Sequence, residues 1–111
     1  MLAIVGEAWD QASKDAGAPF MGASGRLLKS ALSSVGIRYN DCFVTCVFNL
    51  MPQPTTDIKN LCGPRTSGIP GMPQLAAGKF VRSEYASELT RLYSDLSRMR
   101  PTMILALGAT A

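Results

Sequence analysis

Leu2-Ala3-Ile4-Val5-Gly6, followed beyond a loop by Ser24-Gly25-Arg26-Leu27-Leu28-Lys29-Ser30-Ala31-Leu32, reads as a strand that feeds a helix. The apolar run before Gly6 has no polar alternation, the pattern of a strand buried on both faces. Leu27, Leu28, Ala31, Leu32 and Val35 recur at helical spacing, with Ser24 placed to cap the helix and Gly36 to end it. Glu7 to Gly22, between the two, reads as a loop rich in small residues. Cys42 to Phe48 is β-branched and aromatic enough for a second buried strand, stopped by Pro52 and Pro54. Ser83 opens a second helix with Leu89, Leu92, Tyr93, Leu96 and Met99 on one stripe, and Pro101 marks its end. Thr102 to Leu107 reads as a third buried strand, and Gly108-Ala109-Thr110-Ala111 as the start of a further helix. The order strand, helix, strand, loop, helix, strand predicts an α/β fold with a parallel sheet.

Composition narrows the chemistry. The 111 residues suit one domain, and 47% hydrophobic with 17% charged residues is a globular balance. No stretch approaches the ~18 apolar residues of a membrane span, and Met1 to Glu7 carries no basic leader. The expectation is a cytoplasmic protein without a membrane partner. A net charge of +3 permits a polyanionic partner. Histidine is absent, which removes the commonest general base and the usual catalytic zinc ligand. The three cysteines, Cys42, Cys46 and Cys62, cannot all pair. Four residues of strand hold Cys42 and Cys46 about 13 Å apart, too far for a bridge, so free thiols in a reducing compartment are expected.

Residues 49 to 81 form the irregular part. From Gly63 to Gly78, seven of sixteen residues are Gly or Pro, which makes a long loop the expectation. Its charges from Ile58 to Ser83 are Lys59, Arg65, Lys79 and Arg82, with no acid. That is either a solvated basic loop or a flap that contacts phosphates.

In a parallel sheet, ligands bind where loops leave the carboxyl ends of the strands. Here those ends are Gly6-Glu7-Ala8, Phe48-Asn49 and Gly108-Ala109. Gly6 lets Glu7 and Ala8 present backbone N–H groups at close range. Pro19-Phe20 can fold an aromatic face back over the same crevice, and Gly22-Ala23-Ser24-Gly25 leads to a helix N-terminus that suits an anion. Neither a phosphate-binding loop nor a dinucleotide fingerprint is present, because Arg26-Leu27 follows Gly25.

Gly6-Glu7-Ala8 followed by Gly17-Ala18-Pro19-Phe20-Met21-Gly22-Ala23-Ser24-Gly25-Arg26-Leu27-Leu28 closely resembles the first motif of the uracil-DNA glycosylase superfamily. Val44-Thr45-Cys46-Val47-Phe48-Asn49-Leu50-Met51-Pro52 resembles the family's second-strand segment. Gly78 to Tyr85 looks like the segment before the next helix in phage-encoded members, and Arg100-Pro101-Thr102-Met103-Ile104-Leu105-Ala106-Leu107-Gly108 is similar to a further family stretch. The resemblance implies a three-layer α/β/α domain over residues 1–111 whose last strand is missing, with the family's His-containing third motif expected beyond Ala111.

It also implies a substrate, uracil-containing DNA, whose flipped-out base is held by Gly6, Glu7 and Ala8 and stacked on Phe20. Core packing is the plainer role for Phe20. The family's base-reading Asn is replaced by Cys46, whose thiol cannot make the paired contacts that separate uracil from cytosine. Asn49 can enter the pocket if the chain turns before Pro52. Trp9 and Asp10 stand where the family has Pro and Gly. Asp10 and Asp15 are the nearest carboxylates for a sugar cation or a water, or else solvated loop acids. Ser24, Lys59, Arg65, Lys79 and Arg82 are the candidates for DNA phosphates. Some members carry a [4Fe-4S] cluster; with Leu50 at a ligand position, no metal or cofactor is expected here. The implied reaction is hydrolysis of the uracil N-glycosidic bond. The alternative is a non-catalytic DNA- or nucleotide-binding module of the same fold in a phage replication or anti-defence assembly. A sheet that ends on its third strand exposes an edge, which favours self-association or a partner that covers it.

Overall fold

A computed structural model describes residues 1–108 and 110–111. The apolar run Leu2–Gly6 forms strand β1, and the chain then turns through a short helix, α1 (Gln11–Ala16), where the sequence pattern suggested a loop. The local reason is a cap: the Asp10 carboxylate accepts from the Ser13 backbone N–H at 2.8 Å, which starts a single turn and a half that apolar periodicity cannot reveal. Helix α2 spans Ala23–Ser34 and is capped by Gly22, so Ser24 lies within its first turn instead of at the cap. Its end is as expected. Ile37 N–H bonds to Leu32 O and Gly36 N–H to Ser33 O, with Gly36 at φ 77°, the paired bonds of a Schellman motif.

Strand β2 (Phe43–Cys46) is shorter than the apolar run that announces it. From there to residue 82 the chain forms a flap rather than a featureless loop. It contains a 3-10 turn at Ile58–Leu61 and a small antiparallel ribbon of β3 (Cys62–Gly63) and β4 (Phe80–Val81). A 3-10 turn at Ser83–Tyr85 then precedes helix α3, Ala86–Met99, which begins three residues later than Ser83 suggested. Strand β5 (Met103–Ala106) completes a parallel sheet of order β2-β1-β5. The register pairs Gly6 with Cys46 and Val5 with Ala106.

Two apolar layers cover the sheet. Ile4 packs with Leu28 and Leu32 of α2, and Phe20 and Val44 join them; on the other face, Val5, Val47 and Phe48 pack with Leu61 and Val81 of the flap and with Leu89 and Leu92 of α3. The result is a small α/β fold with helices on both faces of a short parallel sheet. Three apolar stripes are narrower than their sequence periods. On α2, Leu28 and Leu32 are buried, but Leu27 (73% exposed), Ala31 and Val35 face outward. On α3, Tyr93 is exposed. All four residues of β5 are exposed, against the expectation of a buried third strand, because β5 is an edge flanked by β1 alone. No helix is described over Gly108–Ala111, and Ala109 in that stretch lies outside the described residues.

This arrangement predicts unequal effects of equal truncations. Leu32→Ala is expected to lower stability by about 2–5 kcal/mol in urea unfolding. Leu27→Ala, one turn earlier and outside the packed face, is expected to change it by no more than about 0.5 kcal/mol.

Candidate functional site

The carboxyl ends of β1 and β2 bring three sequence candidates into contact. Gly6 and Cys46 are register partners, and the Phe20 ring lies over both. A Cβ built on Gly6 would stand 2.6 Å from Phe20 Cζ and 3.2 Å from Cys46 Sγ, so only glycine allows the ring to settle there. Phe20 itself has φ 57°, the left-handed region that costs a side-chain-bearing residue of order 1–3 kcal/mol. The surroundings hold that conformation. Gly25 in the first turn of α2 lies so close to the Phe20 carbonyl that a Cβ would collide with it. The next amide, Met21 N–H, donates to the buried Ser13 hydroxyl at 3.1 Å. Ser13 and Lys14 stand where the family has an acidic stretch, and nothing local in the sequence marks the Ser13 hydroxyl as a buried acceptor.

Glu7 and Ala8 continue from Gly6 but their side chains diverge. Glu7 Oε2 accepts from the Thr110 backbone N–H at 3.3 Å, tying β1 to the segment after β5, and Ala8 packs into the flap-side core. The backbone of Gly6 and Glu7 is braced by the residues that follow β2: Val47 N–H bonds to Gly6 O at 2.8 Å and Phe48 N–H to Glu7 O at 3.0 Å. Asn49 turns back toward the strand, as a turn before Pro52 allows, yet its amide is already committed. Oδ1 accepts from Cys46 N–H at 3.0 Å and Trp9 Nε1 at 3.3 Å, while Nδ2 donates to Thr45 Oγ1 at 3.2 Å.

The carboxylates separate. Asp10 lies against Gly22 at the entry to α2, and the Ser13 backbone and side chain hold its carboxyl below the usual carboxylate range. It is therefore ionised at neutral pH. Asp15 is exposed on α1 and accepts from Gln11 Nε2 at 2.9 Å. Among the phosphate candidates, Ser24, Lys59, Arg65 and Lys79 are exposed. Arg82 is occupied instead: its guanidinium donates to Cys62 O at 3.2 Å, Asn60 O at 3.1 Å and Glu84 Oε1 at 2.9 Å, clamping the flap.

A polar anchor that no sequence motif marks lies on α3. Arg91 of α3 donates to Cys46 O at 2.7 Å, Val47 O at 3.0 Å and Thr45 Oγ1 at 2.9 Å. Glu88 and Asp95 flank it at 3.7 and 3.4 Å, and Glu88 Oε1 also accepts from Asn49 N–H at 2.6 Å. On the sequence, Glu88, Arg91 and Asp95 look like the i,i+3 and i,i+4 charges of a solvated helix face. Only the placement of α3 against β2 turns them inward.

All three cysteines are free thiols. Among the described residues, no three His, Cys, Asp or Glu side chains gather as metal ligands. No helix is long and apolar enough to cross a membrane.

In parallel α/β folds, ligands bind where loops leave the carboxyl ends of the strands, and here Gly6, Phe20 and Cys46 meet at those ends. Comparison with known proteins gives the family. The family model described as Uracil DNA glycosylase superfamily matches residues 1–111, and the chain belongs to that superfamily. It is 33% identical over 105 residues to a type-4 uracil-DNA glycosylase of Pyrobaculum aerophilum, covering 95% of this chain and 42% of the relative. A type-4 uracil-DNA glycosylase of Archaeoglobus fulgidus is 36% identical over 66 residues, covering 56% of this chain and 33% of the relative. The chain thus spans well under half the length of both relatives.

Two outcomes test this geometry. Burial pushes the Cys46 thiol up to about 11, above its ordinary value near 9. The unfolded chain loses this proton first, so the stabilisation is complete below pH 9 and is lost as pH rises toward 11. Cys46→Ala is expected to remove about 2–3 kcal/mol of that alkaline decline in urea midpoints, leaving any contribution from Cys62 in place. Arg91→Met strips three acceptors at the end of β2 of their donor and is expected to cost about 2–4 kcal/mol in the same assay.

Proposed function

We propose that this chain acts on uracil-containing DNA and releases the base by hydrolysis of its N-glycosidic bond. The observation that carries this reading is the convergence of Gly6, Cys46 and Phe20 at the carboxyl ends of β1 and β2. The Glu7 and Ala8 backbone holds the edge of an extruded base, and Phe20 supplies the π-face. The ring packs directly on Gly6, so a base either displaces it or stacks on its outer face. Asp10, ionised and beside the entry to α2, is the carboxylate for the sugar; Asp15, exposed on α1, is the weaker candidate. As the C1′–N1 bond breaks, its electron pair leaves with the base, and water adds to the sugar cation and loses a proton. Ser24, Lys59, Arg65 and Lys79 remain open to phosphates. Residues 1–111 then belong to one domain of this kind, related to phage-encoded members through Gly78–Tyr85. Free thiols fit a cytoplasmic setting. The exposed apolar side chains of β5, with Met103 68% and Ile104 52% exposed, suit a second copy or a partner that covers that edge.

One observation favours a second reading, a binding module without catalysis. Cys46 stands in place of an amide, and the Asn49 amide is turned inward, with Oδ1 on Cys46 N–H and Trp9 Nε1 and one Nδ2 hydrogen on Thr45 Oγ1. Release of free uracil from an oligonucleotide with a single uracil separates the two. The wild-type chain is expected to release it, and Phe20→Ala to lower kcat/KM about tenfold through lost stacking. No release by the folded chain establishes the binding module instead. Cys46→Asn is expected to tighten uracil binding in a titration; unchanged affinity would place residue 46 outside the base contacts.

A further inference from the structure

The flap holds a second cavity that the base site does not use. It measures about 580 Å³ and is lined by Arg65, Thr66, Phe80 and the residues from Gly68 to Pro73. This is a built space, not a slack loop. Ile69 N–H bonds to Val81 O at 3.0 Å, Arg82 N–H to Leu61 O at 3.0 Å and Leu75 N–H to Lys79 O at 2.8 Å. The Arg82 guanidinium ties Asn60 to Cys62, and Ile69 and Leu75 pack into the flap-side core. Gly68 is what lets Phe80 reach the cavity: a Cβ on Gly68 would stand 2.9 Å from Phe80 Cβ. Phe80 is half-buried with part of its side chain on the cavity, and Arg65 is exposed at the same wall.

Arg65 is the charged residue on the cavity wall. From Ile58 to Ser83 the chain carries four cations and no acid, and only Arg82 is spent, on Glu84 and on flap carbonyls. An aromatic wall beside an exposed arginine matches the physics by which proteins hold single-stranded nucleic acid: a π-face for the base and a cation for the phosphate. The volume lies within the range of small-ligand sites. We propose that the flap cavity is a subsite for one nucleotide of an unpaired DNA strand, with the base on Phe80 and its phosphate on Arg65. In a duplex the bases are stacked on one another and do not present a face to Phe80. The site therefore selects an unpaired strand and tolerates any base.

Fluorescence anisotropy with a short, labelled, uracil-free oligonucleotide tests this independently of base excision. The single strand and its duplex are titrated at two salt concentrations against wild type, Phe80→Leu, Arg65→Ser and Thr66→Glu. Phe80→Leu is expected to weaken single-strand binding about tenfold and leave duplex binding within about twofold. Arg65→Ser is expected to lower the salt slope by about one. Thr66→Glu, at an exposed position on the cavity wall, sets an acid against the phosphate and is expected to weaken the single strand as well; it carries the test if Phe80→Leu does not fold. Addition of a free mononucleotide distinguishes the sources of the ligand: competition at low concentration would mean a soluble nucleotide, not a strand, is the natural occupant. Folded variants that bind the single strand like wild type would overturn the proposal. So would equal losses on single strand and duplex, which would reduce the flap to a nonspecific basic surface.

Discussion

The Phe20 ring sits where the side chain of residue 6 would be, and much of the chain is arranged around that contact. It requires glycine at the end of β1, a register that sets Cys46 beside it, and a left-handed backbone at Phe20. The left-handed turn in turn needs Gly25 beneath its carbonyl and the Ser13 hydroxyl beneath the following amide. Asp10, by capping α1, puts Ser13 in place. The Phe20 ring also packs on the Ile4, Leu28 and Leu32 core, so this strained residue is held from several sides at once.

The opposite face of the sheet is braced by charge. Arg91 gathers Cys46 O, Val47 O and Thr45 Oγ1, while Glu88 takes the Asn49 amide and Asn49 returns its side chain to Cys46. Through Val47 and Phe48 this bracing passes to the Gly6 and Glu7 carbonyls. The backbone at the ends of β1 and β2 is thus fixed on one face by α3 and on the other by Phe20.

What could be read in advance was whatever shows in local pattern. The β1 run, the glycine ending α2 and the α/β order follow from apolar periodicity and turn chemistry, and the family motifs mark Gly6, Phe20 and Cys46. Helix α1 escaped notice because a six-residue helix has too few turns to show a period, and β3 and β4 because two-residue strands have no alternation. The outward-facing Leu27, Val35 and Tyr93 show the limit of periodicity: it marks an apolar stripe but not how much of that stripe a three-stranded sheet can cover. Arg82 and Arg91 illustrate the same limit for charge. Their residue types suggest solvent or phosphate, and only tertiary placement shows them spent on backbone carbonyls.

Strand order has a consequence for how the molecule comes to be made. β1 is first along the chain yet central in the sheet, paired to residues 43–46 on one side and 103–106 on the other, and Met1 O receives Thr102 N–H at 3.0 Å. During synthesis the apolar Leu2–Val5 segment therefore emerges well before either neighbour exists. It has no local partner to pair with, since both pairings close long loops. Until β5 is made, that segment lacks one of its two sheet neighbours and is open to chaperones and to other nascent chains.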